Sequence, residues 1–191
     1  MDPISLPEEI PATRITLRKH VVALAQTMFE YIDRDRDRLS QFLPWPAHIT
    51  SVADERKYIE GTLKAWAKGT LFDYGIFRVA DGVFMGNIGV HHIVWADERC
   101  EIGYWVLGDF EGQGYVNEAV GALEGALFGV GFNRIEIWCD ADNQRSAQLP
   151  KRRGYQLEGV LREARLTNRG YTDTLVYGRL RSDWEAADIG G

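Results

Sequence analysis

The sequence contains few of the features that would place it in a specialised structural class. Only two of its 191 residues are cysteines, Cys100 and Cys139, and neither belongs to a CxxC or Cys/His cluster. We therefore expect no structural metal, and two free thiols fit the reducing environment of the cytosol. The longest apolar runs are far too short to span a bilayer, so we expect no membrane partner.

The sequence has neither a signal-peptide pattern nor an excess of basic residues, which disfavours export and nucleic-acid binding. The amino terminus, MDPISLPEEIPATR, has neither a basic segment nor an apolar core, so we expect no export signal and a cytoplasmic protein. Acidic residues outnumber basic ones by 28 to 22, and the sequence pI is near 5.3. A broad basic face for nucleic acid is therefore not expected, whereas an amine or a basic protein would suit this charge.

The remaining composition is that of a soluble globular protein, with 45% hydrophobic and 26% charged residues. The length suits one domain, and neither an internal repeat nor a Gly/Ser-rich linker divides the chain. We therefore expect a single domain over residues 1–191. Pro3, Pro7 and Pro11 predict an arm over residues 1–12 ahead of the fold.

Hydrophobic periodicity predicts a mixed sheet with helices packed on it. Alternating apolar residues indicate strands over 13–19, 72–80, 83–95, 99–107, 133–139, 155–161 and 171–181. A helical period indicates helices over 20–31, 33–42 and 52–67, after residue 114 and from about residue 144. Pro44 and Pro46 require a loop at 43–48, and Ser51 with Asp54 resembles a helix cap. This order of elements indicates an α/β fold of the α+β type.

The most informative segment is GDFEGQGYVN at 108–117, between a predicted strand and a predicted helix. Its glycines allow a tight turn that points successive amides into one concavity, and the helix N-terminus completes an anion site suited to a pyrophosphate. Glycines also occur simply to turn a chain, so the segment alone is not decisive. It is not a Walker loop, because no Gly-Lys-Ser/Thr follows, and it does not open the chain as in a dinucleotide-binding fold.

The blocks around this segment resemble a known family. From residue 86 the chain reads GNIGVHHI, then EIGYWVLGDFEGQGYVNEAV, then NRIEIWCDADNQRSAQLPKRRGYQLEGVLRE. The blocks EIGYW, GQG, N-x-x-S and G-Y-x-x-E-G, in this order and spacing, resemble the GNAT acetyltransferases. Within that family they are similar to the RimJ/RimL type, which acetylates the amino termini of ribosomal proteins. The resemblance covers nearly the whole chain, including LPWP at 43–46. It implies a mixed, mostly antiparallel sheet flanked by helices, and acetyl-CoA as donor without a metal.

The resemblance also implies roles for individual residues. The main-chain amides of the pyrophosphate loop would come from Gly112, Gln113, Gly114, Tyr115, Val116 and Asn117. The strand that diverges from its neighbour and pairs with the pantetheine arm would be Trp105, Val106 and Leu107. Backbone N–H near Val106 would polarise the thioester carbonyl. Asn143 would hold the pantetheine, and Ser146 would protonate the leaving thiolate. Tyr155 is an alternative donor that also suits a core position.

Three positions depart from the family pattern. Glu111 stands where arginine or glutamine is usual, which would place a carboxylate near the phosphates and lower cofactor affinity. Val116 replaces a smaller residue. Pro150 lies within the helix that follows Asn143, where it removes a backbone donor and would either displace Ser146 or shorten the helix.

The base that deprotonates the amine has several candidates. They are Glu101, His91 and His92, and strand alternation predicts that only one histidine faces the site; we assign His91 to the acceptor side. Each of these residues could instead have a purely structural role. Glu101 could pair with an arginine, and the histidines could be ordinary strand residues. Some relatives have a further carboxylate on the strand after the G-Y-x-x-E-G block. In this sequence the corresponding position is Arg165. Trp45, between two prolines, would form a wall of the acceptor pocket.

These features favour acetyl transfer to an α-amine. An α-amino group has a pKa near 7.7–8.0, so about a tenth is neutral at pH 7, whereas a lysine near 10.4 is almost wholly charged. With few bases in view, the predicted acceptor is a protein or peptide N-terminus. Two alternatives are a small-molecule amine, such as an aminoacyl antibiotic, and an acyl-CoA-binding regulator without turnover. A homodimer is expected only by analogy with relatives.

Overall fold

Alternating apolar residues build one eight-stranded sheet in the computed structural model, which describes residues 5–189. The strands are β1 (Glu9–Pro11), β2 (Ile15–Lys19), β3 (Phe72–Arg78), β4 (Phe84–Val94), β5 (Arg99–Val106), β6 (Arg134–Asp140), β7 (Gln156–Thr167) and β8 (Gly170–Leu180). Their order across the sheet is β1-β2-β3-β4-β5-β6-β8-β7. Neighbouring strands are antiparallel except β5 and β6, which run parallel. The predicted mixed, mostly antiparallel sheet is confirmed.

Six α-helices flank this sheet in the described part of the chain. They are α1 (Ala25–Arg34), α2 (Arg36–Leu39), α3 (Val52–Ala67), α4 (Tyr115–Gly129), α5 (Gln144–Arg152) and α6 (Arg181–Ile189). The Ser51 hydroxyl oxygen accepts from the Asp54 amide at 3.2 Å, which confirms the predicted cap of α3. Over residues 5–189, no helix combines the length and apolar character needed to cross a bilayer.

The sheet opens between β5 and β6. The two strands pair only from Arg99↔Arg134 to Glu101↔Glu136. Beyond that point β5 stays paired with β4 as far as Val106, while β6 stays paired with β8. Backbone groups on the facing edges of the two diverging strands can therefore bind an extended ligand, as strands bind peptides at a sheet edge.

Alternation along β4 sends its side chains to two different layers. Ile88 belongs to the main core cluster, which also contains Leu123 of α4. Asn87, Gly89 and His91 face the other side, where α1 and α3 cover the sheet. Because glycine contributes no side chain, this second layer contains open space, and it is here that the candidate site lies.

The ends of the chain differ most from the sequence-based prediction. An arm was expected over 1–12, but Glu9–Pro11 pairs with β2 and Leu6 is buried; residues 1–4 lie outside the described residues. Proline is tolerated because β1 is an edge strand. At the other end, β7 extends past the predicted residue 161, and α6 was not predicted. α6 is anchored by Trp184, whose ring centroid lies 5.3 Å from that of Phe128.

The two predicted helices at 20–31 and 33–42 are also shorter in the structure. A 3-10 turn at Val22–Leu24 precedes α1, and α2 has a single turn. The loop at 43–48 is present as predicted, with a 3-10 turn at Trp45–His48. Arg36 fastens this loop by donating to the Ile49 carbonyl at 2.6 Å.

Candidate active site

The glycine loop between β5 and α4 presents backbone amides at the positive end of a helix. Gly112 and Gly114 adopt left-handed φ angles of 72° and 81°, which glycine reaches without steric cost. α4 begins at Tyr115 with no side-chain cap, so its first amides have no acceptor within the helix. A pyrophosphate would satisfy these donors and interact favourably with the helix dipole. The loop therefore fits the phosphate groups of coenzyme A.

Arg14 holds this loop from the side of β2. Its Nη1 donates to the Gln113 carbonyl at 3.1 Å and its Nε to the Glu118 carboxylate at 2.8 Å. The guanidinium also lies 4.8 Å from the centroid of the Tyr115 ring. Arg14 thus fixes the loop through a carbonyl and two side chains, and it adds positive charge beside the amides.

Glu111 does not present a bare carboxylate to the phosphates. Its Oε1 accepts from Arg38 Nη1 at 2.6 Å, and its Oε2 accepts from Arg145. These two guanidinium groups offset its charge. The expectation that Glu111 lowers cofactor affinity therefore loses its physical basis.

The end of β5 directs one backbone amide toward the opening in the sheet. The Leu107 amide donates to the Met85 carbonyl at 2.8 Å, so the adjacent register pair, Gly86 and Val106, is one without direct hydrogen bonds. The backbone groups of Val106 therefore face away from β4. Its carbonyl accepts from Arg38 at 2.6 Å, and its amide is available to an acyl oxygen.

Ser146 lies on the opposite side of this opening, in the first turn of α5. The Asn143 side chain caps that helix, because its Oδ1 accepts from the Ser146 amide at 3.1 Å. The Ser146 Oγ lies 3.4 Å from the Tyr104 hydroxyl oxygen of β5. Burial raises the pKa of Tyr104, so its hydroxyl stays protonated as a donor. Sequence reasoning missed Tyr104, although it lies within the EIGYW block.

Pro150 neither displaces Ser146 nor ends the helix early, since α5 continues to Arg152. A proline has no amide proton, so the carbonyl four residues earlier, that of Ser146, lacks its usual helical donor. The Tyr104 hydroxyl lies 3.3 Å from this carbonyl and donates to it. The proline thus helps to join α5 to β5 across the opening.

Tyr155, the alternative donor, lies in a different environment. It is buried beside α4, where burial and then the Glu124 charge raise the pKa of its hydroxyl. The guanidinium of Arg179 lies 6.0 Å from its ring centroid. This environment matches the core reading of Tyr155 and leaves Tyr104 as the hydroxyl beside Ser146.

A cavity of about 410 Å³ leads away from Tyr104 on the α1 and α3 side of the sheet. Its aromatic wall contains Trp45 and Trp105, with ring centroids 5.3 Å apart. Gly89 and Gly103 line it beside the His91 ring, and Arg165 of β7 also lines it.

Both histidines line this cavity, so the prediction that only one could face it is wrong. The register between β4 and β5 shifts after His91, and His92 adopts a left-handed φ of 47°. This bulge breaks the strict alternation of side chains on which the prediction depended. His92 Nδ1 consequently lies 2.7 Å from Glu101 Oε2. Glu101 is thus paired with a histidine at the cavity wall, rather than with an arginine.

We expect Trp45→Ala to weaken acceptor binding while leaving acetyl-CoA binding unchanged. Loss of one aromatic face, worth about 0.5–1.5 kcal/mol, should raise KM for the acceptor roughly 2- to 13-fold. Steady-state kinetics with each substrate varied in turn measures both effects, and Trp45→Phe, which keeps an aromatic ring, should recover part of the loss. An unchanged acceptor KM would remove Trp45 from the acceptor wall.

A group of polar residues at the far end of the cavity was not predicted; Glu55, Asp73 and Asn87 are buried, whereas Tyr58 is exposed. Glu55, Tyr58, Asp73 and Asn87 line it there, and His20 lies behind them. The Tyr58 hydroxyl donates to Asp73 Oδ2 at 2.6 Å. Burial, with the nearby Asp73 charge, raises the pKa of Glu55 to about 7. A charged residue within the apolar run FDYGIF was the available signal for Asp73.

The raised pKa of Glu55 predicts a loss of stability with increasing pH. Folded protein retains a proton that unfolded chain releases above about pH 4.5, so the free energy of unfolding falls from there through pH 7, by up to about 3 kcal/mol. Glu55→Gln should remove this slope and be more stable than wild type at pH 8. Urea unfolding at pH 5 and pH 8 measures the difference, and equal slopes in the two proteins would contradict it.

Comparison with known proteins agrees with this geometry. Residues 14–156 match the family described as the acetyltransferase (GNAT) domain. The chain belongs to the GNAT acetyltransferases. The ribosomal-protein-serine acetyltransferase of Escherichia coli strain K12 is 31% identical over 168 residues, which cover 86% of this GNAT chain and 93% of that protein.

Two solved structures share the GNAT fold of this chain. One is the ribosomal L7/L12 α-N-protein acetyltransferase RimL in complex with coenzyme A, with TM-score 0.87, 28% identity, and 91% and 98% of the two chains covered. The other is the microcin C7 self-immunity acetyltransferase MccE in complex with acetyl-CoA and AMP, with TM-score 0.83, 26% identity, and 87% and 92% covered. Like other GNAT enzymes, this protein is an acyltransferase that depends on acetyl-CoA. In the described part of the chain, no cluster of three or more His, Cys, Asp or Glu side chains is placed to hold a metal.

Proposed function

We propose that this enzyme acetylates the α-amino group of a protein or peptide N-terminus in the cytoplasm. The observation that carries the proposal is the Glu101–His92 pair, 2.7 Å apart, at the wall of a cavity that reaches Tyr104. A carboxylate of this kind can accept a proton from an amine of pKa near 8 but hardly from one near 10.4. The names of the RimL relatives give them the same acceptor class.

Each residue then has a defined task in the transfer. The amine enters in its neutral form, and Glu101 takes a proton from its nitrogen as that nitrogen bonds to the acetyl carbon, while the Val106 amide donates to the carbonyl oxygen. As the carbon–sulfur bond breaks, the Ser146 hydroxyl gives its proton to the departing sulfur. The Tyr104 hydroxyl donates its one proton to the Ser146 carbonyl, and its oxygen, 3.4 Å from Ser146 Oγ, can accept from the serine hydroxyl and orient it. The proton that Ser146 gives up is restored from solvent. Asn143 supports Ser146 by capping α5.

The whole chain, residues 1–191, acts in this proposal as a single transferase domain. The amides of the loop that includes Gly112, Gly114 and Asn117 hold the pyrophosphate, and the pantetheine lies in the opening between β5 and β6. A homodimer is proposed by analogy with relatives. The pairing of two chains can be measured by light scattering.

A small-molecule amine is the second candidate acceptor, because of the likeness to MccE and the paired indole rings of Trp45 and Trp105. Two aromatic faces offer a stacking surface to a planar group. Such an acceptor would carry an aminoacyl group, whose amine is again an α-amine.

Thiol release from acetyl-CoA tests these alternatives against a panel of free-N-terminus peptides, aminoacyl nucleotides and polyamines. The proposal predicts the highest kcat/KM for peptides. Faster turnover of aminoacyl nucleotides would favour the small-molecule acceptor. Tight acetyl-CoA binding without thiol release for any acceptor would instead indicate a regulator.

A further inference from the structure

The cavity continues beyond the reacting end as a groove across three strands. Asp73 of β3, Gly89 of β4 and Gly103 of β5 are consecutive register partners, and such partners face the same side of a sheet. The two glycines add no side chain to this row, and the His91 ring borders the groove above them: a Cβ at Gly89 would lie 2.8 Å from His91 Nε2, and a Cβ at Gly103 would lie 3.3 Å from the same atom. A Cβ at Gly89 would lie 2.7 Å from Asp73 Oδ1, so this carboxylate oxygen lies directly over the groove.

At the closed end of the groove, Asp73 Oδ2 has hydrogen-bond partners, whereas one oxygen of Glu55 and the amide oxygen of Asn87 have none among the described residues. Tyr58 and Asn87 both donate to Asp73 Oδ2, at 2.6 and 3.3 Å, and His20 Nε2 lies 3.0 Å from the same oxygen. Glu55 is 1% exposed, and its Oε1 has no hydrogen-bond partner in the described part of the molecule; the same holds for Oδ1 of Asn87. Buried acceptors without donors are costly, and a ligand that brings N–H groups would satisfy them.

The carboxyl groups at the closed end of the groove indicate which kind of ligand would bind there. Glu55 and Asp73 both carry carboxyl groups, and the basic side chain beside them is His20, whose Nε2 lies 3.0 Å from Asp73 Oδ2. Burial and the Asp73 charge raise the pKa of Glu55 against the opposing effect of His20. The only arginine lining the cavity, in the described part of the chain, is Arg165 of β7, and β7 lies on the far side of the β5–β6 opening from β3. The cavity is therefore negative at the α3 and β3 end, where a cation with several N–H donors fits best.

This end lies too far from the reacting centre to bind the amine that is acetylated. Asp73 is on β3, two strand spacings from β5, or about 10 Å away. We propose that Glu55 and Asp73 bind a second cationic group of the acceptor, the basic side chain of the residue that follows its N-terminus. A Cα spacing of about 3.8 Å and the four-carbon stem of lysine together span this distance. The inference rests on the proposed transfer to an α-amine.

Two peptides that begin Ala-Lys and Ala-norleucine test this assignment, since norleucine keeps the stem and lacks only the ammonium. In wild-type enzyme we expect the Ala-Lys peptide to have a KM lower by about tenfold or more, the effect of one charge-assisted hydrogen bond. Glu55→Gln and Asp73→Asn should reduce this preference to a few-fold at most, without changing KM for acetyl-CoA. The control is Glu60→Gln, an exposed carboxylate on the same helix, which should keep the full preference.

Misfolding does not explain the expected loss in Glu55→Gln, because this variant should be the more stable protein at pH 8. Equal KM values for the two peptides in wild-type enzyme, or an undiminished preference in both variants, would overturn the proposal. Calorimetry in the presence of coenzyme A, with both peptides N-acetylated beforehand, separates it from the proposed function. Tighter binding of the blocked Ala-Lys peptide to wild type, but not to Glu55→Gln, supports the cation site even if no peptide is turned over.

Discussion

Ser146→Ala is expected to lower kcat by about 10²- to 10⁴-fold, the usual contribution of a general acid. KM for acetyl-CoA should change little, because the proton is transferred only in the transition state. α5 should keep its start, since Asn143 accepts from the backbone amide of residue 146 and not from the hydroxyl. Steady-state thiol release with a saturating peptide measures the effect.

Tyr104→Phe is the matched variant for this experiment. It removes the hydroxyl 3.4 Å from Ser146 Oγ and also the donor to the Ser146 carbonyl. If Ser146 is the acid and Tyr104 its support, Tyr104→Phe should lose less than Ser146→Ala. A loss of only a few-fold in Ser146→Ala, with a large loss in Tyr104→Phe, would transfer the acid role to Tyr104.

Gly114→Val should raise Kd for acetyl-CoA by roughly 5- to 150-fold, given the 1–3 kcal/mol cost of holding an unsuitable residue in left-handed backbone. Residue 114 has φ 81° immediately before α4, so valine would turn the loop amides away from the pyrophosphate. Calorimetric titration measures the affinity. Gly125→Ala is the control, because that glycine lies within α4 and its added Cβ would meet no atom within 4 Å. Unchanged affinity in folded Gly114→Val would remove the loop from the cofactor site.

Most elements of the fold could be predicted from local sequence signals. The loop with Pro44 and Pro46 and the Ser51 cap depend on neighbouring residues, and the structure contains both of them. α6 was missed because a nine-residue helix presents too short a period, and its position depends on Trp184 contacting a helix more than fifty residues earlier.

The site was harder to predict wherever its parts meet from distant segments. Glu111 resembled an unfavourable charge because its partners, Arg38 and Arg145, come from α2 and α5. Pro150 resembled a disruption because the donor that replaces its missing amide is Tyr104 on another strand.

Two further features of the acceptor side depend on local backbone and on buried contacts. The bulge at His92 overrides the alternation from which one outward histidine was predicted. Glu55 was not singled out from the sequence, because its burial depends on Asp73 of β3 and on His20, which come from other segments.

The central claim is that acetyl is transferred to an α-amine rather than to a lysine side chain. The most direct measurement uses one peptide that has both a free N-terminus and an internal lysine, incubated with the enzyme and acetyl-CoA and mapped by tandem mass spectrometry. We predict acetyl on the α-nitrogen, at a rate that increases with pH through the pKa of that amine and decreases in Glu101→Gln without vanishing. Acetyl found mainly on the lysine Nζ would contradict the account.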